Sequence, residues 1–305
     1  INTFLYYGYL PHIPEYALKQ SWAASKIELH NPDLQFLTEK ELIDKGVSVL
    51  NNIFGSISTL DGKHIVSLSG GLDSRAILGG LLKADKKDNI KTLTYGTPGT
   101  YDYDIGNKIA QELDLDHVSL DLTSIQILQE DLEKIASQSD TWFWLFDACY
   151  INILYKRFGP EPIYWSGHVG DDLGGTYSSF SKNKTWEETQ NKFCRKNRFL
   201  KSTLLYQSNY NPRGILPETP ILQDSILNYD DQLHMILRQE SYMRPLLMPE
   251  GYNYMLPFTM HEWVSFILSV PVKYRSGGYI YKKILVKSYP ELFEIPTKVK
   301  RGLSL

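Results

Sequence analysis

Residues 64–75 read His64-Ile65-Val66-Ser67-Leu68-Ser69-Gly70-Gly71-Leu72-Asp73-Ser74-Arg75. The first five form a short apolar run with β-branched members, the pattern of a buried strand. The run breaks at Ser69-Gly70-Gly71. It resumes as Asp73 to Leu82, whose apolar residues recur at helical spacing. A strand, a glycine turn and a helix start make an anion cradle. Two glycines let the backbone turn sharply and approach a ligand. Free N–H groups of the turn and the helix N-terminus then point at one anion. Ser69 and Ser74 add hydroxyl donors. Asp73 would repel a phosphate directly, so it makes sense as a Mg²⁺ ligand beside one. The alternative is a tight strand–helix turn with serines by chance.

Ser69 to Ser74 spells Ser-Gly-Gly-Leu-Asp-Ser, which resembles the pyrophosphate loop of the N-type ATP pyrophosphatases. That resemblance implies cleavage of ATP to AMP and pyrophosphate during activation of a carboxylate or carbonyl. The loop is neither of the common glycine-rich nucleotide fingerprints.

Working outward, helix and strand patterns alternate. Thr38-Glu39-Lys40-Glu41 is a capping box, and Leu42, Val47, Leu50 and Ile53 continue on one helical face. Ile90 to Tyr95 reads as a second strand ended by Gly96, Tyr103 to Leu113 as a helix, and His117 to Leu120 as a third strand. Such alternation predicts an α/β fold with a parallel sheet covered on both faces, doubly wound, with the ligand at the carboxyl ends of its strands. Ser124 to Ala136 and Asp140 to Tyr155 read as helices, and the run Trp142 to Phe146 as core.

A fourth strand, Ile163 to Trp165, leads into Ser166-Gly167-His168-Val169-Gly170-Asp171-Asp172-Leu173-Gly174-Gly175-Thr176-Tyr177. This second glycine-rich loop resembles the signature of asparagine synthetase-like proteins, with Ser166, Gly167, Asp171, Leu173, Gly174, Gly175 and Tyr177 matching. Asp172 replaces Glu. Asp171 is the natural partner of Asp73 on Mg²⁺, because carboxylates plus phosphate oxygens suit that ion. A solvated turn is the alternative. Tyr279 to Leu285 resembles the family's lysine-bearing helix, with Lys282 in register. The resemblance implies that Lys282 neutralises charge as the phosphate bond breaks. An exposed helix lysine is the alternative. The tail 295–303, with Lys298, Lys300 and Arg301, also resembles the family and faces either phosphate or water. The aromatic segment Phe4 to Pro11 needs a cover; it weakly resembles the family's link to its glutaminase half.

The resemblance covers roughly residues 1–303. It implies ATP and Mg²⁺ as cofactors, with adenosine near Leu68 and Gly96, phosphates in the nucleotide-binding loop of Ser69, Gly70, Gly71 and Ser74, and Asp73 on the Mg²⁺ beside them. Ser166 and Gly167 would border the nucleotide. It also implies a small-molecule or peptide carboxylate substrate and an ammonia or amine donor. Three departures stand out. The glutaminase half begins with a catalytic cysteine, and the first cysteine here is Cys149; a separate or upstream glutaminase is then the ammonia source. His168 stands where asparagine synthetases carry Glu and β-lactam-forming relatives carry Tyr; a histidine there is a candidate general base or a neutral hydrogen-bonding residue of the loop. The family's Glu, Arg and Asp are absent from residues 251–260, where Pro257-Phe258 remains.

Bulk properties set the outer limits. The 305 residues suffice for a sizeable core. They are read as a lead segment and helix over 1–60, a nucleotide core over 61–180 and a helical C-terminal lobe over 181–305, with long helices over 186–199, 221–242 and 259–268. A net charge of −3 carries no nucleic-acid footprint. Two cysteines make neither a disulfide framework nor a metal motif, which fits a cytoplasmic setting. No apolar run reaches about 18 residues, so no membrane span is expected. The first residue is Ile1, not Met, compatible with further residues upstream. The expected activity is an AMP-forming amide ligase. Rival expectations are an intramolecular amide former, of the β-lactam synthetase or lasso-peptide cyclase kind, and a nucleotide-binding module without catalysis.

Overall fold

The computed structural model describes residues 1–11, 21, 31–57, 60–138, 141, 145–176, 185–201 and 209–298. The chain forms two compact units, each built from separated stretches. One comprises Ser25–Ile125, Phe158–Tyr177 and Gly251–Leu305; the other comprises Ile1–Ala24, Gln126–Arg157 and Ser178–Glu250. These units cut across the sequence divisions at 60 and 180. Residues 251–305, read as part of a helical lobe, belong with the sheet.

The first unit opens with α1 (Glu39–Ile57). Its capping box is formed: the Glu41 N–H donates to Thr38 Oγ1 at 3.4 Å, and the Thr38 N–H to Glu41 Oε2 at 2.8 Å. Leu42, Leu50 and Ile53 are buried on one face, and Val47 is half-buried. Next come β1 (His64–Ser67), α2 (Asp73–Lys83), β2 (Ile90–Gly96), α3 (Tyr101–Glu112) and β3 (His117–Asp121). They are followed by β4 (Ile163–Trp165), α4 (Gly170–Leu173) and β5 (Asn253–Met255). The unit closes with α5 (His261–Ser269), α6 (Val272–Arg275), α7 (Tyr279–Ser288) and α8 (Pro290–Glu294).

The five strands run in the order β3-β2-β1-β4-β5, and every pairing is parallel. Ile65 and Val66 of β1 are both buried, which follows from a strand covered on both faces. The order reverses at β1. Its neighbours are β2, reached through α2, and β4, whose residues lie 99 positions beyond their β1 partners, in register His64↔Ile163. In an open α/β sheet such a reversal opens a crevice at the carboxyl ends of the two strands. The two glycine-rich loops follow β1 and β4, so the sheet itself sets them side by side.

The second unit is helical, with a core that includes Tyr7, Tyr9, Cys149, Phe193, Cys194, Leu233 and Tyr242. The N-terminal aromatic segment finds its cover here: Tyr9 stacks on Tyr242 with centroids 4.8 Å apart, and the Tyr7 hydroxyl donates to the Pro212 carbonyl at 2.8 Å. Several boundaries differ from the sequence reading. The helix expected over 124–136 runs Gln129–Gln138, because the Asp121 side chain caps a short turn at 122–124 instead. The helix expected over 140–155 runs Leu145–Phe158. The helix expected from Ile221 begins at Tyr229, where Asn228 accepts from the Asp231 N–H at 2.8 Å. Gln232 accepts the N–H groups of Ile221 and Leu222 and so holds the preceding stretch out of the helix. The expected aromatic core at 142–146 needs correcting at Phe146, which is 60% exposed; Trp142, Phe143 and Trp144 lie outside the described residues. No described helix is long and apolar enough to cross a membrane.

Candidate active site

The loop after β1 is tied down before any ligand arrives. The Leu68 N–H donates to the Leu93 carbonyl at 2.7 Å, and the Thr94 hydroxyl donates to the Leu68 carbonyl at 3.0 Å. The Gly71 N–H donates to Ser69 Oγ at 3.1 Å, and the Ser69 and Ser74 hydroxyls lie 3.4 Å apart. The loop thus folds around its own serines, and α2 begins at Asp73.

The loop after β4 lies directly against it. The Ser166 N–H donates to the Met255 carbonyl at 3.1 Å, anchoring the loop on β5. A Cβ added at Gly167 would come 2.4 Å from Cβ of Asp73, and one at Gly170 would come 2.9 Å from its Cγ. Only hydrogen fits at both positions. Val169, between them, is buried and left-handed at φ 57°, a conformation costly for a β-branched residue. α4 then presents its first-turn carboxylates. Asp172 is buried, whereas Asp171 lines a cavity of about 210 Å³.

That cavity is the centre of the site. Its walls include Ser69, Asp73 and Ser74 of the first loop, Asp171 and Thr176 of the second, and Lys282 and Lys298 from the C-terminal stretch. Burial, and next the charge of Asp171, pushes the Asp73 carboxyl well above the usual carboxylate range. Two groups oppose that rise: the Tyr281 hydroxyl, which donates to Asp73 Oδ1, and the Asp171 backbone. Burial, and then Asp73, in turn pushes the Tyr281 phenol up. Phe258, of the retained Pro-Phe pair, packs edge-on to Tyr281 with centroids 5.9 Å apart, and its ring lies 2.8 Å from where a Gly170 Cβ would stand. Lys282 donates to the Gly277 carbonyl at 2.8 Å. Lys298 pairs with Asp102 at 3.0 Å, and Asp102 also accepts the Gly70 N–H at 3.1 Å.

The donor set fits a divalent cation. Two adjoining carboxylates that oppose each other's charge offer hard oxygen ligands, and no described cluster of three or more His, Cys, Asp or Glu would take the ion by itself. Phosphate oxygens and water would complete its shell, the usual arrangement for Mg²⁺. The Thr176 hydroxyl is buried in the same wall with no hydrogen-bond partner among the described residues.

Of the residues anticipated from sequence, the fold brings Ser69, Gly71, Asp73, Ser74, Asp171 and Lys282 to one cavity. Gly70, Ser166 and Gly167 belong to the two loops, and Leu68 and Gly96 to the strand ends, without lining the cavity. His168 is buried, its N–H donating to Ser166 Oγ at 3.3 Å, and it does not reach the cavity wall. Tyr177, of the second motif, lies outside the described residues. Sequence reasoning missed Tyr281, Asp102 and Thr176. Tyr281 carried a signal, as the neighbour of Lys282; Asp102 carried none. Lys298 was read only as part of a basic tail.

In comparison with known families, the asparagine synthase profile fits residues 60–299. That span takes in both glycine-rich loops and the helix bearing Lys282. No curated protein matches the chain.

Proposed function

The chain belongs to the asparagine synthase family, and so to the ATP-dependent amide-forming ligases; we propose that it cleaves ATP to AMP and pyrophosphate while activating a carboxylate for attack by ammonia or an amine. One observation carries this reading. Two glycine-rich loops at adjacent parallel strand ends meet at a single cavity that holds two carboxylates and two ammonium groups.

In this reading the Ser69–Ser74 loop receives the phosphates, with adenosine at the strand ends near Leu68 and Gly96 and the second loop at Ser166 and Gly167 beside it. Asp73 and Asp171 would hold Mg²⁺, which would supply neutralisation of phosphate charge. The substrate carboxylate attacks the α-phosphorus. An acyl–O–P bond forms, the α–β bridging P–O bond breaks, and pyrophosphate leaves. Lys282 and Lys298 face the negative charge gathering on the departing oxygens. The amine nitrogen then attacks the acyl carbon, AMP departs, and the amine gives up a proton. Holding both reactants and the acyl-adenylate in one enclosed place supplies much of the acceleration. His168 supports the second loop in this scheme.

The absence of the family's Glu, Arg and Asp between residues 251 and 260 widens the acyl substrate beyond aspartate, and keeps an intramolecular amide former as the second reading. ATP–pyrophosphate exchange, screened over candidate acids with and without ammonia, tests both. Acid-dependent exchange with AMP as product is expected. ADP and phosphate as products would overturn the ligase mechanism, and amide formation without any added amine would select the second reading. A chain that binds MgATP yet exchanges with none of the acids would be a nucleotide-binding module.

A further inference from the structure

Arg75 follows the phosphate loop directly and is wholly buried, at 0% exposure. No carboxylate pairs with it among the described residues. Its guanidinium instead donates to three backbone carbonyls: Leu292 at 2.9 Å, Ile295 at 2.8 Å, and Pro296. A buried cation without an anion is costly, and it persists only where its hydrogen bonds are met. Here Nη1 and Nη2 are met by carbonyls of α8 and the chain leaving it, while the buried Nε has no partner among the described residues. Three carbonyls spread over five residues suit a planar fork, which a lysine ammonium cannot match.

Two residues past Pro296, the Lys298 N–H donates to the Gly70 carbonyl at 3.0 Å, and its side chain enters the cavity wall. Thr297 between them is fully buried. The segment 292–298 is therefore a strap laid along the loop and the first turn of α2. The Lys298–Asp102 pair is nearly half exposed at both ends, and an exposed pair holds little by itself. The Arg75 fork holds the segment at residues 292–296, and the Lys298 N–H holds it at Gly70.

We propose that Arg75 is a positioning residue that seats this strap on the phosphate loop, so that the Lys298 ammonium faces the bound nucleotide's phosphates. The nature of the ligand rests on the ligase reading; the strap does not. Because Arg75 sits next to Ser74, movement of the loop and movement of Lys298 are mechanically one event.

The test is a double-mutant cycle on MgATP affinity, with Arg75→Met, Lys298→Ala and the double variant, accompanied by hydrogen exchange over 292–298. Each single change is expected to weaken MgATP binding tenfold or more. The double variant is expected to be no weaker than the worse single, since both remove one contact. Exchange at 292–298 rises in Arg75→Met, and Arg75→Lys recovers part of both effects. Additive losses, or Arg75→Met binding MgATP like the parent, would overturn the proposal. Should Arg75→Met not fold, Arg75→Lys with Lys298→Ala forms the cycle: a smaller loss that does not add to that of Lys298→Ala supports the proposal, and additive losses overturn it. If the parent protein binds no MgATP, the ligase reading falls, and exchange alone decides: an unchanged 292–298 segment in the Arg75 variants refutes the strap.

Discussion

The buried phenol of Tyr281 donates its hydrogen to Asp73, 208 residues earlier in the chain. Lys282, the next residue of α7, lines the cavity that Asp73 also lines. One turn of one helix therefore delivers a neutral donor to the carboxylate and a cation to the space in front of it. Tyr281→Phe removes the donor and leaves the carboxylate short of a partner. The ligand-free protein is expected to lose about 1–3 kcal/mol, the cost of leaving a buried polar group without its partner. Denaturant unfolding measures this, and a loss below about 0.5 kcal/mol would mean that the bond is incidental.

Asp73 and Asp171 set function against stability. Because folding raises the Asp73 carboxyl, the native state resists its ionisation. Stability is thus lost as pH climbs from the ordinary carboxylate range toward the raised native value. Asp73→Asn is expected to melt higher than the parent at neutral pH, and to match it at low pH, where both states carry a proton. The same variant, and Asp171→Asn, should lose on the order of 100-fold or more in turnover, with Mg²⁺ stabilising the parent alone. Thermal unfolding across pH with and without Mg²⁺, beside pyrophosphate exchange, tests all of this. Near-normal exchange in Asp171→Asn would remove the second loop from the chemistry.

Gly167 has no room for a methyl group, since its Cβ would stand 2.4 Å from that of Asp73. Gly167→Ala should push the two loops apart, costing about 1–3 kcal/mol and most of the activity. Gly55→Ala is the matched control. Gly55 lies in α1 with nothing within 4 Å of its added Cβ, and alanine there should stabilise by about 1 kcal/mol. Melting temperatures that move in the same direction for both variants would contradict the packing of the loops.

Val169 invites a reversal of the ordinary order of substitutions. At a left-handed residue, alanine keeps the backbone strain while losing buried methyl groups. Glycine loses them too but relieves the strain. Val169→Gly is therefore expected to be more stable than Val169→Ala, by about 1 kcal/mol. Chemical denaturation of the two variants settles the order; alanine being the better would mean that Val169 is not left-handed in solution.

His168 tests how far family variation can be read as chemistry. It is buried, and it lies off the cavity wall. His168→Ala is expected to slow pyrophosphate exchange and amide formation by the same factor, with a lower melting temperature. A loss confined to amide formation would instead make the imidazole a general base for the amine.

What the amino-acid sequence determined by itself was whatever short-range physics controls. The turn at Ser69–Ser74 needs glycines and serines in a fixed local order. α2 and α3 follow from apolar spacing, and the capping box at Thr38–Glu41 closes within four residues; each was legible because its partners are neighbours. Asp171 and Lys282 were found through local motifs in the same way. Strand order was a different matter. β4 pairs with β1 across 99 residues, and β5 came from within a span read as a helical lobe. Only packing of the whole sheet decides such pairings, because the hydrogen-bonding edge of a strand carries no sequence address. The same holds for Tyr281 on Asp73, for Asp102 beneath Gly70, and for Arg75 on carbonyls 217 to 221 residues away. A backbone carbonyl has no residue identity to betray it, and a buried guanidinium reads in sequence like any surface arginine. Tertiary structure alone brought the two loops face to face, left His168 out of the cavity lining, and set Lys298 into its wall.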